Sequence, residues 1–214
     1  METSIIVLSY NRKDLVERCL AAIFKNAPRE TEVIVVDNAS TENIPGLVKK
    51  RFPKAKLMAL KENLGFAVGN NTGMRAGGGE YFLLLNSDAF LEKDTIPKLL
   101  EFAKNHPEVG VVGPQLLNAD GTLQPSAGYF PHLWQVFLMM TVLDNLPILK
   151  KFAPSIHVRD PEAFSKVRTF SWVTGACLLI PRPVFEKTKG FSENYFMYGE
   201  ELEWQYRMQK MGYK

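Results

Sequence analysis

Short apolar runs alternate with amphipathic segments through the first half of this 214-residue chain, which limits the folds open to it. The runs that predict buried strands span 4–9, 32–36, 56–60, 81–85 and 109–112. Apolar residues recur at helical spacing in 11–24, 44–48 and 97–105, and we expect another helix within 63–79. This order predicts an α/β fold, a Rossmann-like, doubly wound and mainly parallel sheet.

The second half has a different pattern. Asp120-Gly121 predicts a hairpin turn, 170–180 one more strand, and 182–189 and 200–211 two helices. The apolar segment 133–150 predicts either a helix packed on the sheet or an interfacial helix that touches a membrane. No apolar run reaches the length of about 18 residues that a spanning helix needs.

Composition excludes several classes of protein. Hydrophobic residues make up 46% and charged residues 23%, as is usual for a globular protein. The net charge is only +3, so we expect no nucleic-acid partner. Cys19 and Cys177 lie in apolar runs, which predicts buried, reduced thiols. The first residues lack a basic region and do not form a signal peptide. We therefore expect a cytoplasmic protein.

Polar residues follow three of the predicted strands directly. They are Ser9-Tyr10-Asn11, Asp37-Asn38 and Asn86-Ser87-Asp88. Because doubly wound sheets bind ligands beyond the carboxyl ends of their strands, these positions predict a ligand cleft.

Two carboxylates at these strand ends each allow two interpretations. Asp88 is placed to bind Mg²⁺ or Mn²⁺ together with phosphate oxygens, or to cap the helix after it. Asp37 is placed to accept hydrogen bonds from a base or ribose, or to form an Asx turn toward Ser40. Asn11 is the predicted N-cap of the first helix.

Two further segments carry candidate groups. The stretch 63–73 offers small residues and what we expect to be exposed amides, whereas 77–79 predicts a plain turn. Glu200-Glu201 opens the last predicted helix. Acidic residues at this position either interact favourably with the helix dipole, which stabilises the helix, or provide a general base. Glu203 is expected to be solvated. The three histidines share no metal-ligand spacing, which argues against a zinc site.

Together these motifs resemble family 2 glycosyltransferases with the GT-A fold, and most closely the rhamnosyltransferase-like branch. The resemblance runs from Ile5 to the last residue. The six segments that carry it, in order, are 5–12, 35–41, 63–73, 85–88, 172–176 and 195–201.

The resemblance implies a role for each matched residue. Those implied to bind the nucleotide sugar are Ser9, Tyr10, Asn11, Asp37, Asn63, Gly65, Phe66, Asn70, Asn86 and Ser87. Asp88 would bind the metal, while Trp172, Thr174 and Gly175 would line the acceptor site. Glu201 would be the catalytic base, with Glu200 as its substitute.

The implied enzyme is an inverting, metal-dependent glycosyltransferase. Its donor would be a dTDP- or UDP-sugar, with rhamnose one candidate, and its acceptor a cell-surface polysaccharide or a lipid-linked saccharide. One GT-A domain over 1–214 would comprise a nucleotide-sugar half, 1–117, and an acceptor half, 118–214, with a small antiparallel portion. Segment 133–149 would give peripheral contact with the inner face of the membrane.

Some features depart from the family pattern. Asn86 and Glu201 stand where aspartate is usual, and family members often continue past residue 212 to a histidine that completes the metal site. We therefore expect the chain to lack a C-terminal continuation. A non-catalytic nucleotide-sugar-binding module remains the alternative function. A nucleotidyltransferase and a Rossmann dehydrogenase are disfavoured, because neither signature loop follows the first strand.

Overall fold

A computed structural model describes residues 1–141 and 156–214. The described strands are β1 (Thr3–Ser9), β2 (Glu32–Asp37), β3 (Lys56–Ala59), β4 (Tyr81–Asn86), β5 (Leu116–Leu117), β6 (Leu123–Gln124), β7 (Ala127–Gly128), β8 (Trp172–Val173) and β9 (Cys177–Pro181). The described α-helices are α1 (Lys13–Asn26), α2 (Ile44–Arg51), α3 (Gly65–Ala76), α4 (Thr95–Asn105), α5 (Leu133–Met140), α6 (Arg182–Thr188) and α7 (Glu200–Lys210).

The chain forms two compact units, one of Met1–Pro114 with Thr174–Lys214 and one of Gln115–Val173. The division of function at residues 117 and 118 stays a prediction.

The first unit is built on a five-stranded sheet. Its order is β3-β2-β1-β4-β9, with β9 antiparallel to β4 and the other pairs parallel. The predicted doubly wound, mainly parallel sheet is therefore confirmed. Strand order runs one way from β1 to β3 and then the other way to β4, so the topological switch point lies between β1 and β4.

Two glycines let α3 pack closely on β1. A Cβ at Gly69 would lie 2.4 Å from a methyl group of Leu8, and one at Gly73 would lie 2.4 Å from a methyl group of Ile6. A side chain at either position would therefore force one of these methyl groups to move. The expected helix within 63–79 thus lies directly against the buried centre of the sheet.

Three local predictions were wrong. The strand expected at 109–112 is a single bridge between Val112 and Leu179. The strand expected at 170–180 is two strands, because a turn at Gly175 separates β8 from β9. Asn11 does not cap α1, which begins at Lys13 after a left-handed Arg12.

The second unit contains the predicted hairpin. β5 and β6 pair in antiparallel fashion, and Gly121, at φ +82°, lies in their connection. In α5, Leu133, Phe137 and Met140 are exposed. The expected apolar segment continues through residues 142–149, which lie outside the described residues. None of the helices within 1–141 and 156–214 is long and apolar enough to cross a membrane.

Both cysteines of the first unit are buried and free, as predicted. Burial raises the pKa of Cys177 to about 12. Burial likewise raises the pKa of Cys19 to about 12, and the nearby charge of Asp88 adds to this effect. Both thiols are therefore neutral near pH 7, which makes them poor nucleophiles and poor metal ligands.

Candidate active site

The three polar strand ends meet at one edge of the sheet. In the parallel register, Ser9 lies beside Asp37, and Leu8 lies beside Asn86. The polar residues after β1 are therefore flanked on one side by those after β2 and on the other by those after β4. This edge includes the switch point, where open α/β sheets bind ligands.

The loops after β1 and β2 are joined by hydrogen bonds. The backbone N–H of Asn11 donates to Ser40 Oγ at 2.8 Å, and Asn11 Oδ1 accepts from the N–H of Thr41 at 2.8 Å. Asn11 and Arg12 both have left-handed backbones, which turn the chain toward these partners. The Asn11 side chain therefore supports the neighbouring loop instead of capping α1. Tyr10 is exposed, whereas the buried Ser9 Oγ finds no partner among the described residues.

Asp37 is buried at the end of β2. Its Oδ1 accepts a hydrogen bond from the N–H of Ser40 at 3.2 Å, so one carboxylate oxygen forms the Asx turn that the sequence allows. This bond fixes the carboxylate at the sheet edge. The Asp37 carboxylate still has lone pairs that can accept a hydrogen bond from a ligand.

The sequence interpretation assigned no role to Asn38, which links β2 to the start of α3. Its Nδ2 donates to Asn63 Oδ1 at 2.7 Å, and its Oδ1 accepts from the N–H of Leu64 at 2.9 Å. Asn63 Oδ1 also accepts from the N–H of Gly65 at 3.0 Å. The only signal in the sequence was the position of Asn38, directly after Asp37.

Gly65 and Phe66 contact the segment that precedes α7. Phe66 N–H donates to the Phe196 carbonyl at 2.7 Å. Gly65 has φ +82°, and a Cβ there would lie 2.3 Å from the same carbonyl oxygen. Glycine is therefore required at position 65 both by conformation and by space.

The amides of Asn70 and Asn71 are buried, so the expectation of exposed amides was wrong for both residues. Asn70 Nδ2 donates to the Phe66 carbonyl at 3.0 Å. Asn71 bonds to Phe191 and Glu193. Asn70 therefore bonds within its own helix, whereas Asn71 joins α3 to the segment that leads into α7.

Asp88 lies in the turn after β4. The backbone here is fixed because Asn86 N–H donates to the Ala176 carbonyl at 3.0 Å and its own carbonyl accepts from Ala89 N–H at 3.0 Å. The capping interpretation of Asp88 was wrong, because α4 begins at Thr95 and is preceded by Asp94. Asp88 is exposed and forms no hydrogen bond or ion pair within the described part of the chain.

The donor set at this turn fits a hard divalent cation only with help from a ligand. Within the described ranges, no group of three or more His, Cys, Asp or Glu side chains is placed to hold a metal. Asp88 offers one unpaired carboxylate, and Asn86 lies two residues before it. Mg²⁺ is often held by one or two protein carboxylates together with substrate phosphates, and a single carboxylate at this turn is consistent with such a site.

A second group of carboxylates opens α7. Glu200 is only 4% exposed, yet its Oε2 and that of Glu201 are buried without a hydrogen-bond partner among the described residues. Burial raises the pKa of Glu200 above its ordinary value, and the charge of Glu201 contributes in the same direction. Buried carboxylates with a shifted pKa are typical of functional sites.

Arg207 holds this helix in place, a role that the sequence interpretation missed. Its guanidinium donates to the carbonyls of Thr188 and Gly190 and to both oxygens of Glu203. Glu203 is therefore paired, not solvated as expected. The four-residue spacing of Glu203 and Arg207 was the available signal.

The residues expected to line an acceptor site fall in both units. In the first unit, Thr174 and Gly175 lie in the turn before β9, and a Cβ at Gly175 would lie 3.2 Å from the Phe66 ring. In the second unit, Trp172 is buried and its Nε1 donates to the Tyr129 carbonyl at 3.3 Å.

Two relatives resemble this chain over nearly all of its length. The N-acetylglucosaminyl-diphospho-decaprenol L-rhamnosyltransferase of Mycobacterium tuberculosis is 29% identical over 220 residues, which cover 98% of this chain and 71% of that protein. The O-antigen biosynthesis protein RfbC of Myxococcus xanthus is 27% identical over 216 residues, which cover 99% of this chain but 16% of that protein.

Solved structures share the fold. A mannosyltransferase from Pyrobaculum calidifontis, in complex with GDP-Man and Mn²⁺, matches all of this chain with a TM-score of 0.67 at 23% identity. S. aureus TarS 1–349, in complex with UDP-GlcNAc, matches 96% of it with a TM-score of 0.62 at 21% identity. The chain spans about half the length of these structures, 53% and 52% respectively.

The family model for glycosyl transferase family 2 matches residues 4–164, which include all three polar strand ends. The GT-A fold expected from the sequence is confirmed by the sheet and by these structural neighbours. The chain therefore belongs to glycosyl transferase family 2, and it is a transferase.

Proposed function

We propose that this chain transfers a sugar from a nucleotide diphosphate sugar to an acceptor hydroxyl, with inversion at the anomeric carbon. The observation that carries the proposal is the register of β1 with its two neighbours. It places Asp37 and Asn86 on either side of the residues that end β1. One ligand at this edge can contact all three groups.

The nucleotide occupies the edge formed by β1, β2 and the start of α3. Asp37 accepts from the base, beside Ser9, Tyr10 and Asn11. Asn63, Gly65 and Phe66 bound the ribose pocket, a role supported by the short contacts that fix Gly65 and Phe66. Asn70 contributes by bonding the Phe66 carbonyl.

The diphosphate lies toward the turn after β4, near Asn86, Ser87 and Asp88. Asp88, together with phosphate oxygens of the donor, would hold Mg²⁺ or Mn²⁺, which would stabilise the negative charge on the leaving diphosphate. The unpaired Asp88 carboxylate supports this assignment. The Mn²⁺ in the Pyrobaculum structure is consistent with it.

Glu201 is the proposed base, and Glu200 is the other carboxylate able to take the proton. The acceptor oxygen forms a bond to the anomeric carbon as the bond from that carbon to the phosphate oxygen breaks. The hydroxyl proton passes to the carboxylate. A positioned base contributes roughly 10²–10⁴-fold to such a step. The buried, unpaired oxygen of Glu201 supports this role.

The acceptor is a saccharide of a cell-surface polysaccharide or a lipid-linked saccharide, and the resemblance assigns Trp172, Thr174 and Gly175 to its recognition. The decaprenol in the mycobacterial relative's name supports a lipid-linked acceptor, and its rhamnosyl activity supports dTDP-rhamnose among the candidate donors. The exposed apolar residues of α5 support contact with the cytoplasmic face of a membrane.

The proposal is tested by incubating the protein with dTDP-rhamnose and a panel of UDP-sugars, with Mn²⁺ and a saccharide acceptor. We expect transfer from at least one donor, and Glu201→Gln should reduce it by roughly 10²-fold or more while nucleotide binding is kept. The control is Glu186→Gln, an exposed residue of α6, which should leave the rate unchanged.

Two results would contradict the proposal. Nucleotide binding without any transfer would indicate a non-catalytic binding module. Full activity of the Glu201→Gln protein would remove Glu201 from the role of base, and Glu200→Gln would then be tested in the same assay.

A further inference from the structure

Four large side chains are exposed immediately before the proposed base. Tyr195, Phe196, Met197 and Tyr198 form a segment that we call the aromatic segment, and Tyr198 is the most exposed of them at 82%. Contiguous exposed apolar groups of this kind commonly mark a binding surface. Neither the proposed base nor the proposed nucleotide site uses them.

Two backbone hydrogen bonds and one ring contact hold the aromatic segment in place. The Phe196 carbonyl accepts from Phe66 N–H at 2.7 Å, and Tyr195 N–H donates to the Ser192 carbonyl at 3.3 Å. The Tyr195 ring lies against Gly199, where a Cβ would be 3.4 Å away. The side chains of this segment are therefore exposed although its backbone is held in place by hydrogen bonds.

Tyr198 has an unfavourable backbone conformation. Its φ is +70°, and it precedes Gly199 at φ +90°. A left-handed conformation is unfavourable for a non-glycine residue, so glycine or asparagine would suit this position better. The tyrosine forms no hydrogen bond or ring contact with other described residues that would offset this cost. Such strain is found preferentially at functional sites.

We propose that Tyr198 is a stacking platform for the pyranose ring of the acceptor sugar. The inference rests on the proposed function, because the acceptor hydroxyl must come within hydrogen-bond reach of Glu200 or Glu201. Tyr198 lies two residues before Glu200 and three before Glu201, so their Cα atoms are at most about 7 Å and about 11 Å from that of Tyr198. The ring that bears the hydroxyl is therefore within reach of the Tyr198 side chain.

The chemistry of tyrosine suits this occupant. The C–H face of a pyranose is apolar and packs flat on an aromatic ring, while the phenol can donate to or accept from a sugar hydroxyl. The nucleotide and diphosphate are assigned to the strand ends, so they do not compete for this surface. The two unpaired carboxylate oxygens at α7 independently indicate that a ligand approaches here.

The test separates the ring of Tyr198 from its backbone. Tyr198→Asn and Tyr198→Gly remove the ring yet favour a positive φ, whereas Tyr198→Phe keeps the ring. The probe is octyl N-acetylglucosaminide, because N-acetylglucosamine appears in the acceptor named for the mycobacterial relative. The readouts are acceptor KM, donor KM and donor hydrolysis without acceptor.

We expect Tyr198→Asn and Tyr198→Gly to raise the acceptor KM by about tenfold, and Tyr198→Phe to raise it by about threefold or less. Donor KM and hydrolysis should stay unchanged. Tyr206→Asn, at an exposed tyrosine of α7, is the matched control and should leave the acceptor KM unchanged. Saturation-transfer NMR with the same probe gives a second readout that needs no turnover. Its signal should weaken in Tyr198→Asn.

Three outcomes would overturn the inference. An unchanged acceptor KM and NMR signal in the Asn and Gly variants would exclude stacking on Tyr198, even if donor chemistry stays intact. An effect that disappears with butyl N-acetylglucosaminide would assign the surface to the alkyl chain instead. If the wild-type protein binds no nucleotide and transfers no sugar, the proposed function itself fails, and an unaltered NMR signal would show that this inference fails separately.

Discussion

Asn71 and Phe191 form a reciprocal pair of hydrogen bonds. Asn71 Nδ2 donates to the Phe191 carbonyl at 2.9 Å, and Asn71 Oδ1 accepts from the Phe191 N–H at 3.0 Å. Both residues are buried. The pair joins the middle of α3 to the segment that leads into α7. Since α3 also packs on β1, this contact connects the sheet to the carboxylates of Glu200 and Glu201.

Replacement of Asn71 by alanine should destabilise the protein. Asn71→Ala leaves the buried N–H and carbonyl of Phe191 without partners, and we expect a loss of about 2 kcal/mol or more in the free energy of unfolding. Denaturant unfolding measures it. Thr72→Ala is the control, because Thr72 Oγ1 bonds to Val68 and to the exposed Arg75, both of which lie in α3, and this variant should lose no more than about 0.5 kcal/mol. Equal losses in the two variants would contradict this account.

Alanine substitutions at Gly65 and Gly212 distinguish the effect of a steric clash on stability from the effect of backbone strain. Both have positive φ, +82° and +90°, but a Cβ at Gly212 would meet nothing within 4 Å, whereas at Gly65 it would lie 2.3 Å from the Phe196 carbonyl oxygen. Gly212→Ala should lower stability by about 1 kcal/mol through backbone strain alone.

Gly65→Ala should lower stability by more than Gly212→Ala, because the Phe66–Phe196 hydrogen bond must also break. Nucleotide binding should weaken in Gly65→Ala and not in Gly212→Ala. Thermal unfolding and nucleotide titration of both variants measure these differences. Indistinguishable behaviour would show that the contact of α3 with the aromatic segment is unimportant.

The buried carboxylate of Glu200 should make stability depend on pH. Its pKa in the folded protein is raised above the ordinary 4.5. Between 4.5 and that higher pKa, the folded state binds more protons than the unfolded state, so stability falls as pH rises through this window. Below pH 4.5 the carboxyl is neutral in both states, and the penalty is absent.

Glu200→Gln should therefore be more stable than the wild type at pH 7, by about 1 kcal/mol, and this difference should disappear at pH 4. Unfolding of both proteins across this pH range measures it. A difference between the two proteins that does not change with pH would mean that folding does not raise the pKa of Glu200.

The sequence predicted the sheet well because strand and helix periodicity are local properties. It placed the polar ends of β1, β2 and β4 correctly, since parallel strands share one carboxyl edge. The expectation that the amides of Asn70 and Asn71 are exposed was wrong. Their burial depends on how closely Gly69 and Gly73 allow α3 to approach β1. That approach is a tertiary property.

The same limit applies to side chains that act across elements. Asn11 resembles a helix cap in the sequence, but its oxygen accepts from Thr41, 30 residues away. Asn38 and Arg207 hold the site through contacts with other segments, which periodicity does not encode. The orphaned oxygens of Glu200 and Glu201 follow from packing around α7 and could not be read from their order in the chain.

The most direct test of the central claim is calorimetric titration of the protein with UDP and with dTDP, each with and without Mn²⁺. We expect one of them to bind at micromolar affinity only with Mn²⁺, and Asp88→Ala to abolish this binding while leaving the unfolding temperature unchanged, because Asp88 is exposed and unpaired. Binding that is equally tight in Asp88→Ala, or that does not depend on Mn²⁺, would contradict the assignment of the diphosphate and its cation to the turn after β4.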